Sequence, residues 1–522
     1  MLKKIINLFI LFILFLFAFN YFLYGTLCLC FPYRNYDDAI VLYGAELVSK
    51  GKIPYRDFWT IYSPGVFYLL AFNFKLFGVT LGSSRILSAI ILTLVTISIY
   101  IVIEKLSNPL YALIGFLLSV LYFKKDIAYL RAYQVAFLFC ILSSLILWKY
   151  LDNEKKRWIF ISGVLNGIVF LFRYDFGFYN FIAISICLII KDEKNFQQIK
   201  KNLFLLIIGN LFMILPFIVY LIKNNAFLEM INVFIFSLLV YPKYRNLPYP
   251  ELNLYNLILY FPIFTFLFTC IKLLLSQKTK KYLLITFYLF LGLGLFIYAS
   301  VRFDYIHILP SLITAIIISI ILIEDIINKS LISLMIRKKI INIAMIIIFL
   351  RIFYSFFIQI DFIEERFLQK NNSLKIELPR AKGFYDNSPE LARIQLRAIQ
   401  YIQKNTASEE KIFVGNIRHD KLVNNDILFY FLSERNSATK YYEFNPGLTN
   451  TYPIQKRIIN DLINNNVRYI VLCDFFLNRL NEPNESNKSS GINLLDRFIR
   501  NNYKFLKITG NKYIKYIILL KK

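Results

Sequence analysis

Apolar runs of membrane-spanning length recur along the first two thirds of the sequence. A helix needs about 20 apolar residues to cross roughly 30 Å of hydrocarbon, so each such run predicts one span. About eleven helices are predicted in this way, near residues 5–31, 83–103, 109–123, 128–149, 159–172, 176–190, 203–222, 252–274, 282–300, 307–325 and 340–360. Because 57% of the residues are hydrophobic, lipid must surround most of the chain. The predicted fold class is therefore an all-α polytopic membrane protein.

Two features of the predicted spans need separate interpretation. The run 5–31 is too long for a secretory signal and no small-x-small cleavage site follows it, so we interpret it as a retained helix. The runs 159–172 and 176–190 are short, and charged residues lie between them. These two runs form either a tilted pair of spans or a re-entrant hairpin that protein or a watery cavity covers.

The net charge of +27 has a membrane explanation. A basic surface on a soluble protein would indicate a nucleic-acid partner. Here the lysines and arginines concentrate in alternate connections, at positions 3–4, 105, 155–157, 191–201, 278–281 and 329–339. Because basic connections stay on the cytoplasmic side, this pattern predicts an inside N-terminus and no nucleic-acid partner. The expected location is the plasma (inner) membrane, with the first loop and the C-terminal region outside.

The amino-acid composition changes beyond residue 360. Polar residues and turn formers separate short apolar runs, with predicted strands at 411–415 and 467–473 and predicted helices at 452–465 and 494–501. Two further strands are predicted within 503–520, joined at Gly510-Asn511. Strands that alternate with helices indicate an α/β layer domain. We therefore predict a membrane domain at 1–360, with its first outside loop at 32–82, and an outside α/β domain at 361–522.

The first outside loop has an ordered series of short motifs. The acidic pair Asp37-Asp38 opens a stretch with a helical apolar pattern, and Gly51 is placed to end it. The motifs Pro54-Tyr-Arg-Asp57, Ser63-Pro-Gly65 and Lys75-Leu-Phe-Gly78 follow, and then a helix that carries Arg85. An Asp at a helix start also caps free N–H groups in proteins without any catalytic activity. The pair alone therefore leaves a structural role and a catalytic role open.

The order of these motifs resembles the first loop of the GT-C glycosyltransferases, over about residues 35–105. It is most similar to the branch of protein mannosyltransferases, lipid A aminoarabinose transferases and lipopolysaccharide-core sugar transferases. The resemblance implies transfer of a sugar from a polyprenyl-phosphate carrier to an acceptor on the outer face of the membrane. It also implies that Asp37 is the catalytic base. The family pair is commonly Asp-Glu, so Asp38 is carried over only as an assisting residue, and Asp57 is assigned to substrate binding.

The chemistry of such a transfer agrees with these residue types. Displacing a phosphate from an anomeric carbon needs a base for the acceptor hydroxyl and cations for the departing phosphate. One carboxylate acting on the acceptor inverts the sugar. Adjacent residues in a helix point about 100° apart. We therefore expect only one of the two acids to face the reacting centre.

Further charged residues lie at helix ends on the predicted outer side. They are Lys124, Lys125, Asp126 and Arg131, then Arg173 and Asp175, then Arg302, Asp304 and His307. Arg173 and Arg302 are our candidates for binding the carrier phosphate, because a guanidinium offers a fixed fork of donors. Each is alternatively neutralised by the Asp two residues further on. Lys124, Arg131 and His307 complete the predicted phosphate-binding set.

The sequence leaves the cofactor, the acceptor and some rival functions open. No ligand spacing demands a metal, although outside Asp side chains can bind a divalent cation together with a substrate phosphate. The expected partners are a polyprenyl-phosphate-linked sugar, membrane lipid, and a lipid, polysaccharide or protein acceptor. A transporter or flippase for a lipid-linked saccharide is the alternative function, although no internal repeat is visible. A structural assembly protein that uses its outside domain for contacts is a third reading.

Overall fold

The computed structural model describes most of the chain. The described residues are 2–27, 36–124, 129–253, 256–329, 347, 374–386, 388–421, 424–474, 482–511 and 514–522. Apart from residue 347, the predicted span 340–360 lies outside the described residues, as do the charged residues Lys125 and Asp126.

The described residues up to 329 form helices joined by turns and short connections. Their helices are α1 (Leu2–Leu27), α2 (Tyr36–Ser49), α3 (Gly65–Phe77), α4 (Leu81–Leu106), α5 (Pro109–Phe123), α6 (Ala132–Asn153), α7 (Arg157–Phe172), α8 (Tyr174–Lys191), α9 (Phe196–Lys223), α10 (Phe227–Leu239), α11 (Tyr241–Arg245), α12 (Leu257–Leu274), α13 (Lys280–Val301) and α14 (Tyr305–Lys329). Eight helices of the described chain are long and apolar enough to cross a membrane, namely α1, α4, α6, α8, α9, α12, α13 and α14. The helices α3, α5, α7 and α10 are apolar but shorter.

The C-terminal region combines helices with a sheet. Its helices are α15 (Pro389–Asn405), α16 (Leu428–Ser433), α17 (Tyr452–Asn464) and α18 (Leu494–Asn502). Its strands are β1 (Leu374–Lys375), β2 (Tyr385–Asp386), β3 (Lys411–Asn416), β4 (Asn436–Ser437), β5 (Tyr469–Cys473), β6 (Tyr503–Gly510) and β7 (Lys515–Lys521). Five strands form one sheet in the order β4-β3-β5-β7-β6, in which β4, β3 and β5 are parallel and β7 is antiparallel to both its neighbours. The predicted fold class, membrane helices followed by an α/β region, is confirmed.

The chain divides into two compact units. The first, called here the membrane unit, comprises Met1–Cys28, Ile86–Val219 and Pro248–Phe362. The second, called the sheet unit, comprises Leu29–Arg85, Tyr220–Leu247 and Ile363–Lys522. The first loop therefore belongs to the same compact unit as the C-terminal sheet.

Close helix packing and buried amides hold the membrane unit together. A Cβ added at Gly163 of α7 would lie 2.3 Å from the Leu206 carbonyl oxygen of α9, so only glycine allows this approach. Next to it, Asn166 donates to Asn210 at 2.8 Å and receives a hydrogen bond from Asn180 at 2.6 Å. Such hydrogen bonds satisfy polar side chains inside a membrane and join neighbouring helices.

Ion pairs join the helix ends that the sequence predicts to be inside. Lys280 at the start of α13 pairs with Asp152 in the last turn of α6 at 2.7 Å. Lys281 pairs with Asp325 in α14, also at 2.7 Å. The structure thus collects the ends of α6 and α14 and the beginning of α13 at one end of the membrane unit.

Aromatic residues fix α2 against the C-terminal sheet within the sheet unit. The Tyr43 hydroxyl accepts a hydrogen bond from the Ser437 backbone N–H at 2.7 Å. Its ring stacks on Tyr430, with ring centroids 5.3 Å apart, and meets Tyr442 edge to face at 4.8 Å. The Trp59 backbone N–H also donates to a carbonyl of the C-terminal region, at Lys440, over 2.9 Å. These contacts make the first loop part of one core with the sheet.

Candidate functional site

Helix α2 carries three acidic residues, and two of them are buried in ion pairs. Asp38, which is 1% exposed, receives two hydrogen bonds from Arg85 at the start of α4, one of them at 2.9 Å. Glu46, also 1% exposed, pairs with Arg380 at 2.6 and 2.9 Å. Forked arginine pairs of this kind neutralise buried carboxylates and fix the orientation of the helix. The surroundings of Asp38 and Glu46 are therefore those of structural acids.

Asp37 lies in the first turn of α2 and remains partly exposed. The preceding residue, Tyr36, donates its hydroxyl hydrogen bond to the Phe444 carbonyl oxygen at 2.7 Å. Burial, and next the nearby Glu443 carboxyl, raise the pKa of the Tyr36 hydroxyl well above its ordinary value, so it stays a donor. Because α2 starts beside Phe444, the helix turn places Asp37 next to a loop of the C-terminal region.

Five side chains of the sheet unit gather at this point. The charges of Asp37, Arg245, Tyr241 and Glu443 all act on the Tyr36 hydroxyl. We call these five residues the Asp37 cluster. Two of them, Tyr241 and Arg245, come from the short helix α11. The cluster therefore draws on three separate parts of the sequence.

Glu443 is the most deeply buried member of this cluster, with no exposed surface. Its Oε1 accepts a hydrogen bond from the Asn445 side-chain amide at 3.0 Å, and its Oε2 is enclosed without a hydrogen-bond partner among the described residues. Burial raises the pKa of the Glu443 carboxyl to about 8, and the charge of Asp37 adds to the rise. The donors Asn445, Thr60 and the Ile61 backbone N–H oppose it. Glu443 is therefore mainly protonated at neutral pH.

Helix α11 is held against the same loop. Arg245 is 6% exposed, and its Nη2 donates to the Asn424 side-chain oxygen at 2.8 Å. Gly447 has a φ of +79°, and a Cβ there would lie 2.3 Å from the Tyr244 ring. Only a glycine at 447 lets the loop approach α11 this closely. The structure thus brings a buried guanidinium near the acids of the cluster.

Asp57 has a local structural role in the sheet unit. Its Oδ2 accepts a hydrogen bond from the Ile53 backbone N–H at 2.8 Å, and Arg56 donates to its two oxygens at 3.0 and 2.9 Å. Burial by itself raises the pKa of Asp57, but Arg56 and the Ile53 N–H outweigh it and lower the pKa. Asp57 therefore closes the turn that follows Gly51, and these contacts favour a structural role over substrate binding.

Several of the predicted phosphate-binding residues meet in the membrane unit. Arg173, in the turn between α7 and α8, donates to Asp175 through Nε at 3.0 Å and through Nη2. Its guanidinium also lies over the Tyr298 ring of α13, 4.7 Å from the centroid. The charges of Arg131, Arg173, Asp175 and Asp304 all act on the Tyr298 hydroxyl. We call these five residues, with Arg302 and His307, the Tyr298 cluster.

Asp304 organises the other half of the Tyr298 cluster. Its Oδ1 accepts the backbone N–H groups of Ile306 and His307 at 3.0 Å each, which caps the start of α14. The same oxygen lies 2.7 Å from His307 Nδ1, and Arg302 Nε donates to Oδ2 at 3.2 Å. Burial opposes ionisation, but His307 and Arg302 lower the pKa of Asp304 to about 2. Asp304 is therefore ionised at neutral pH and holds both residues in place.

The remaining predicted residues lie at neighbouring helix ends of the membrane unit. Arg131 precedes the first residue of α6, and its guanidinium lies 4.2 Å from the centre of the Tyr129 ring. Lys124 follows α5, and the Tyr305 hydroxyl of α14 bonds to the Tyr122 carbonyl oxygen in the last turn of α5 at 3.0 Å. The ends of α5, α7 and α13 and the beginnings of α6, α8 and α14 therefore carry all the predicted cations of this unit.

No role was predicted from the sequence for Tyr36, Arg245 or Glu443. Arg245 lies inside the Tyr- and Pro-rich stretch 241–250. Glu443 lies in an irregular stretch between β4 and α17, where no periodicity marks a functional position. The available signal for Glu443 was a single acid inside the aromatic sequence Tyr441-Tyr442-Glu443-Phe444, since an acid among large apolar residues is buried at a cost.

The comparisons with known proteins agree with the fold. The family profile of dolichyl-phosphate-mannose-protein mannosyltransferases matches residues 62–220, which begin after Asp37. No curated protein matches the chain.

Two solved proteins share the architecture at low sequence identity. ArnT from Cupriavidus metallidurans bound to undecaprenyl phosphate has a TM-score of 0.58 at 10% identity, over 97% of each chain. Its apo structure gives a TM-score of 0.56 over the same shares at 10% identity. The apo oligosaccharyltransferase from Archaeoglobus fulgidus has a TM-score of 0.51 at 13% identity, over 88% of this chain and 69% of that one. The chain therefore has the fold of the GT-C membrane glycosyltransferases, which confirms the resemblance predicted from its first loop.

Proposed function

We propose that this protein transfers a sugar from a polyprenyl-phosphate carrier to an acceptor hydroxyl, with inversion at the anomeric carbon and with Asp37 as general base. The carrier class is supported by the similarity to ArnT, whose structure contains undecaprenyl phosphate. The acceptor is a lipid, a polysaccharide or a protein. In the reaction the acceptor oxygen bonds to the anomeric carbon, its proton passes to Asp37, and the carrier phosphate leaves with the electron pair of the broken bond.

The contrast among the acids of α2 carries the proposal. Asp38 and Glu46 are committed to buried arginine pairs, whereas Asp37 is partly exposed at the helix start. A general base must reach the substrate and exchange a proton with it. Among these three acids, the surroundings of Asp37 fit that role best.

We assign the carrier phosphate to the Tyr298 cluster, with Arg173 and Arg302 as its principal cations. The cluster has three arginines against two aspartates, so it keeps a net positive charge even with His307 neutral. The pairing of Arg173 with Asp175 fixes the plane of the guanidinium and uses two of its five N–H groups. A fixed guanidinium plane suits a tetrahedral phosphate, because two donors can meet two oxygens at once.

We propose that the first loop and the C-terminal sheet face the outside of an inner (plasma) membrane. The support is the distribution of lysine and arginine, since basic connections stay inside. Lys281, at the end of α13 that this distribution places inside, pairs there with Asp325 of α14. The enzyme would then bind its acceptor outside the cytoplasm.

Reconstitution in liposomes with a synthetic undecaprenyl-phosphate sugar tests the function. We expect release of undecaprenyl phosphate together with a new glycosidic bond on an acceptor from membrane extracts, and NMR of that bond should show inverted anomeric configuration. Movement of the intact lipid-linked sugar across the bilayer, without bond cleavage, would instead support the transporter alternative. A product with retained configuration would contradict the single-base mechanism.

A further inference from the structure

A loop of the C-terminal region touches the start of the helix that carries the proposed base. The loop runs between β4 and α17 and contains Glu443. It is tied to α2 by the Tyr36 hydroxyl, which bonds to the Phe444 carbonyl oxygen at 2.7 Å. It is tied to the first loop by the backbone N–H of Trp59, which donates to the Lys440 carbonyl oxygen at 2.9 Å. These bonds fix the backbone of Glu443 relative to Asp37.

The surroundings of Glu443 suit a neutral carboxylic acid. Its side chain is fully buried, and Oε2 is enclosed without a hydrogen-bond partner among the described residues. A buried carboxylate with neutral donors and no cationic partner is destabilised, whereas a carboxylic acid tolerates such an enclosure. Asp38 and Glu46, which are equally buried, show the contrast, because each has an arginine on both of its oxygens. Asp38 and Glu46 therefore have cationic partners, whereas the donors that act on Glu443, namely Asn445, Thr60 and the Ile61 backbone N–H, are neutral.

From this arrangement we infer that Glu443 is a positioning residue for the transfer, a neutral acid beside Asp37 that keeps the pair at a single negative charge. The inference rests on the proposed role of Asp37 as base. A second negative charge would repel the anionic carrier phosphate and the acceptor oxygen as it loses its proton. A neutral Glu443 removes that repulsion, so that Asp37 is the group that accepts the proton.

The charged and titratable groups around Glu443 come from each neighbouring element. Helix α2 contributes Asp37 and Tyr36, helix α11 contributes Arg245 and Tyr241, and the loop itself contributes Tyr442. Tyr36 and Tyr442 stay neutral near pH 8, because burial raises the pKa of both hydroxyls well above the ordinary value. Ionisation of Glu443 near pH 8 therefore changes the charge of a cluster whose only fixed cation is Arg245.

The first test uses stability and does not depend on any activity. The folded-state pKa of Glu443 is raised, so the folded protein binds this proton more tightly than the unfolded chain does. The bound proton stabilises the folded protein fully below the pKa that Glu443 has in the unfolded chain. This stabilisation is lost as the pH rises towards 8. Glu443→Gln has no such proton to lose. We therefore expect the Tm of Glu443→Gln, measured in nanodiscs relative to the wild type, to rise steadily between pH 5 and pH 8.

The second test is the pH profile of kcat/KM for an undecaprenyl-phosphate sugar. In the wild type we expect a decline above pH 8, to about a tenth of the plateau at pH 9, because one Glu443 in about ten is then still protonated. Glu443→Gln should keep the neutral-pH value within about threefold and lose the decline. Glu443→Asp, which can still ionise, should keep a decline.

The outcomes separate this inference from the proposed function. If Glu443→Gln shows the same alkaline decline as the wild type, or a uniform loss of activity at every pH, Glu443 has no charge role and the inference is overturned. A Tm difference that stays constant from pH 5 to pH 8 overturns it as well. If the wild type transfers no sugar under any condition, the proposed function fails, and the Tm series still decides whether Glu443 is neutral.

Discussion

Two adjacent aspartates at the start of α2 have different surroundings, and the helix geometry explains why. Neighbouring positions point about 100° apart, so Asp38 is buried against Arg85 whereas Asp37 remains partly exposed. Removing one partner of a buried pair costs about 3–5 kcal/mol, because the other charge is left unpaired. Loss of activity on substitution of Asp38 would therefore report damaged folding. Substitution of Asp37 is the informative experiment.

At the residue scale, the role of Arg173 gives a testable prediction. Arg173→Gln should raise the KM for the undecaprenyl-phosphate sugar by about 10- to 100-fold, as expected for loss of charged hydrogen bonds worth roughly 1.5–3 kcal/mol. Arg173→Lys should give an intermediate KM, because a lysine keeps the charge but lacks the fork. The measurement is a donor titration at saturating acceptor.

The double variant Arg173→Gln/Asp175→Asn is the matched control. Arg173→Gln alone leaves Asp175 without the guanidinium that now pairs with it, so the Tm should fall. The double variant removes both charges and should restore the Tm. If it also restores the donor KM, Arg173 serves only to neutralise Asp175, and the phosphate assignment is wrong.

The sequence predicted some residues of both clusters and missed others for a physical reason. Arg173, Arg302 and His307 stand at the ends of apolar runs, where an ionisable residue is costly and therefore noticeable. Glu443 and Arg245 are far from Asp37 in the sequence, and only tertiary contacts bring them near it. The roles assigned to Asp37 and to the phosphate-binding residues remain predictions.

At the scale of elements, the apolar runs located the spanning helices. Every predicted run from 5–31 to 307–325 falls largely on a helix of the structure. The two short predicted runs 159–172 and 176–190 correspond to α7 and α8. Helix α8 has 18 residues and is long enough to be a span, whereas α7 has 16. Helix α15 was missed because it is mainly polar, although Ala398 and Ile402 repeat at helical spacing on its buried face. The amphipathic spacing of these apolar residues was the sequence feature that indicated this helix.

The approach of α11 to the Glu443 loop depends on Gly447. Gly447→Ala adds a methyl group 2.3 Å from the Tyr244 ring and also places alanine at a φ of +79°. Strained backbone costs about 1–2 kcal/mol, and overpacking adds about 1–3 kcal/mol. We expect the Tm to fall by an amount that reflects both terms, as measured by thermal unfolding in nanodiscs.

Gly383→Ala separates the two contributions. Gly383 has a φ of +88° and no atom within 4 Å of an added Cβ, so this variant has the backbone strain without the steric contact. Gly447→Ala should therefore be less stable than Gly383→Ala, and adding Tyr244→Ala should recover part of the difference. Equal stability of the two glycine variants would show that Tyr244 of α11 is not in close contact with Gly447.

At the scale of the whole molecule, exposed apolar side chains on the long helices indicate contact with lipid. Phe9 of α1 is 62% exposed and Phe264 of α12 is 60% exposed, and both belong to candidate spans. In water such surfaces would drive aggregation, whereas in a bilayer they face hydrocarbon. The protein is therefore an integral, multi-pass membrane protein.

The proposed orientation predicts which single cysteines an impermeant maleimide can reach. In a background with the natural cysteines replaced by serine, Ser408→Cys in the C-terminal region should be labelled in intact cells. Lys155→Cys, at an exposed connection that the charge pattern places inside, should be labelled only after lysis. The reverse pattern would place the C-terminal region in the cytoplasm and invert the topology.

The most direct measurement of the account is the turnover of Asp37→Asn in the reconstituted transfer assay. We expect kcat for release of undecaprenyl phosphate to fall by about 10²- to 10⁴-fold, the contribution of a general base, with an unchanged Tm. The control Asp152→Asn removes a half-exposed carboxylate paired with Lys280 and should keep wild-type turnover. Wild-type turnover in a folded Asp37→Asn protein would contradict the central claim, that Asp37 is the base of a polyprenyl-phosphate sugar transferase.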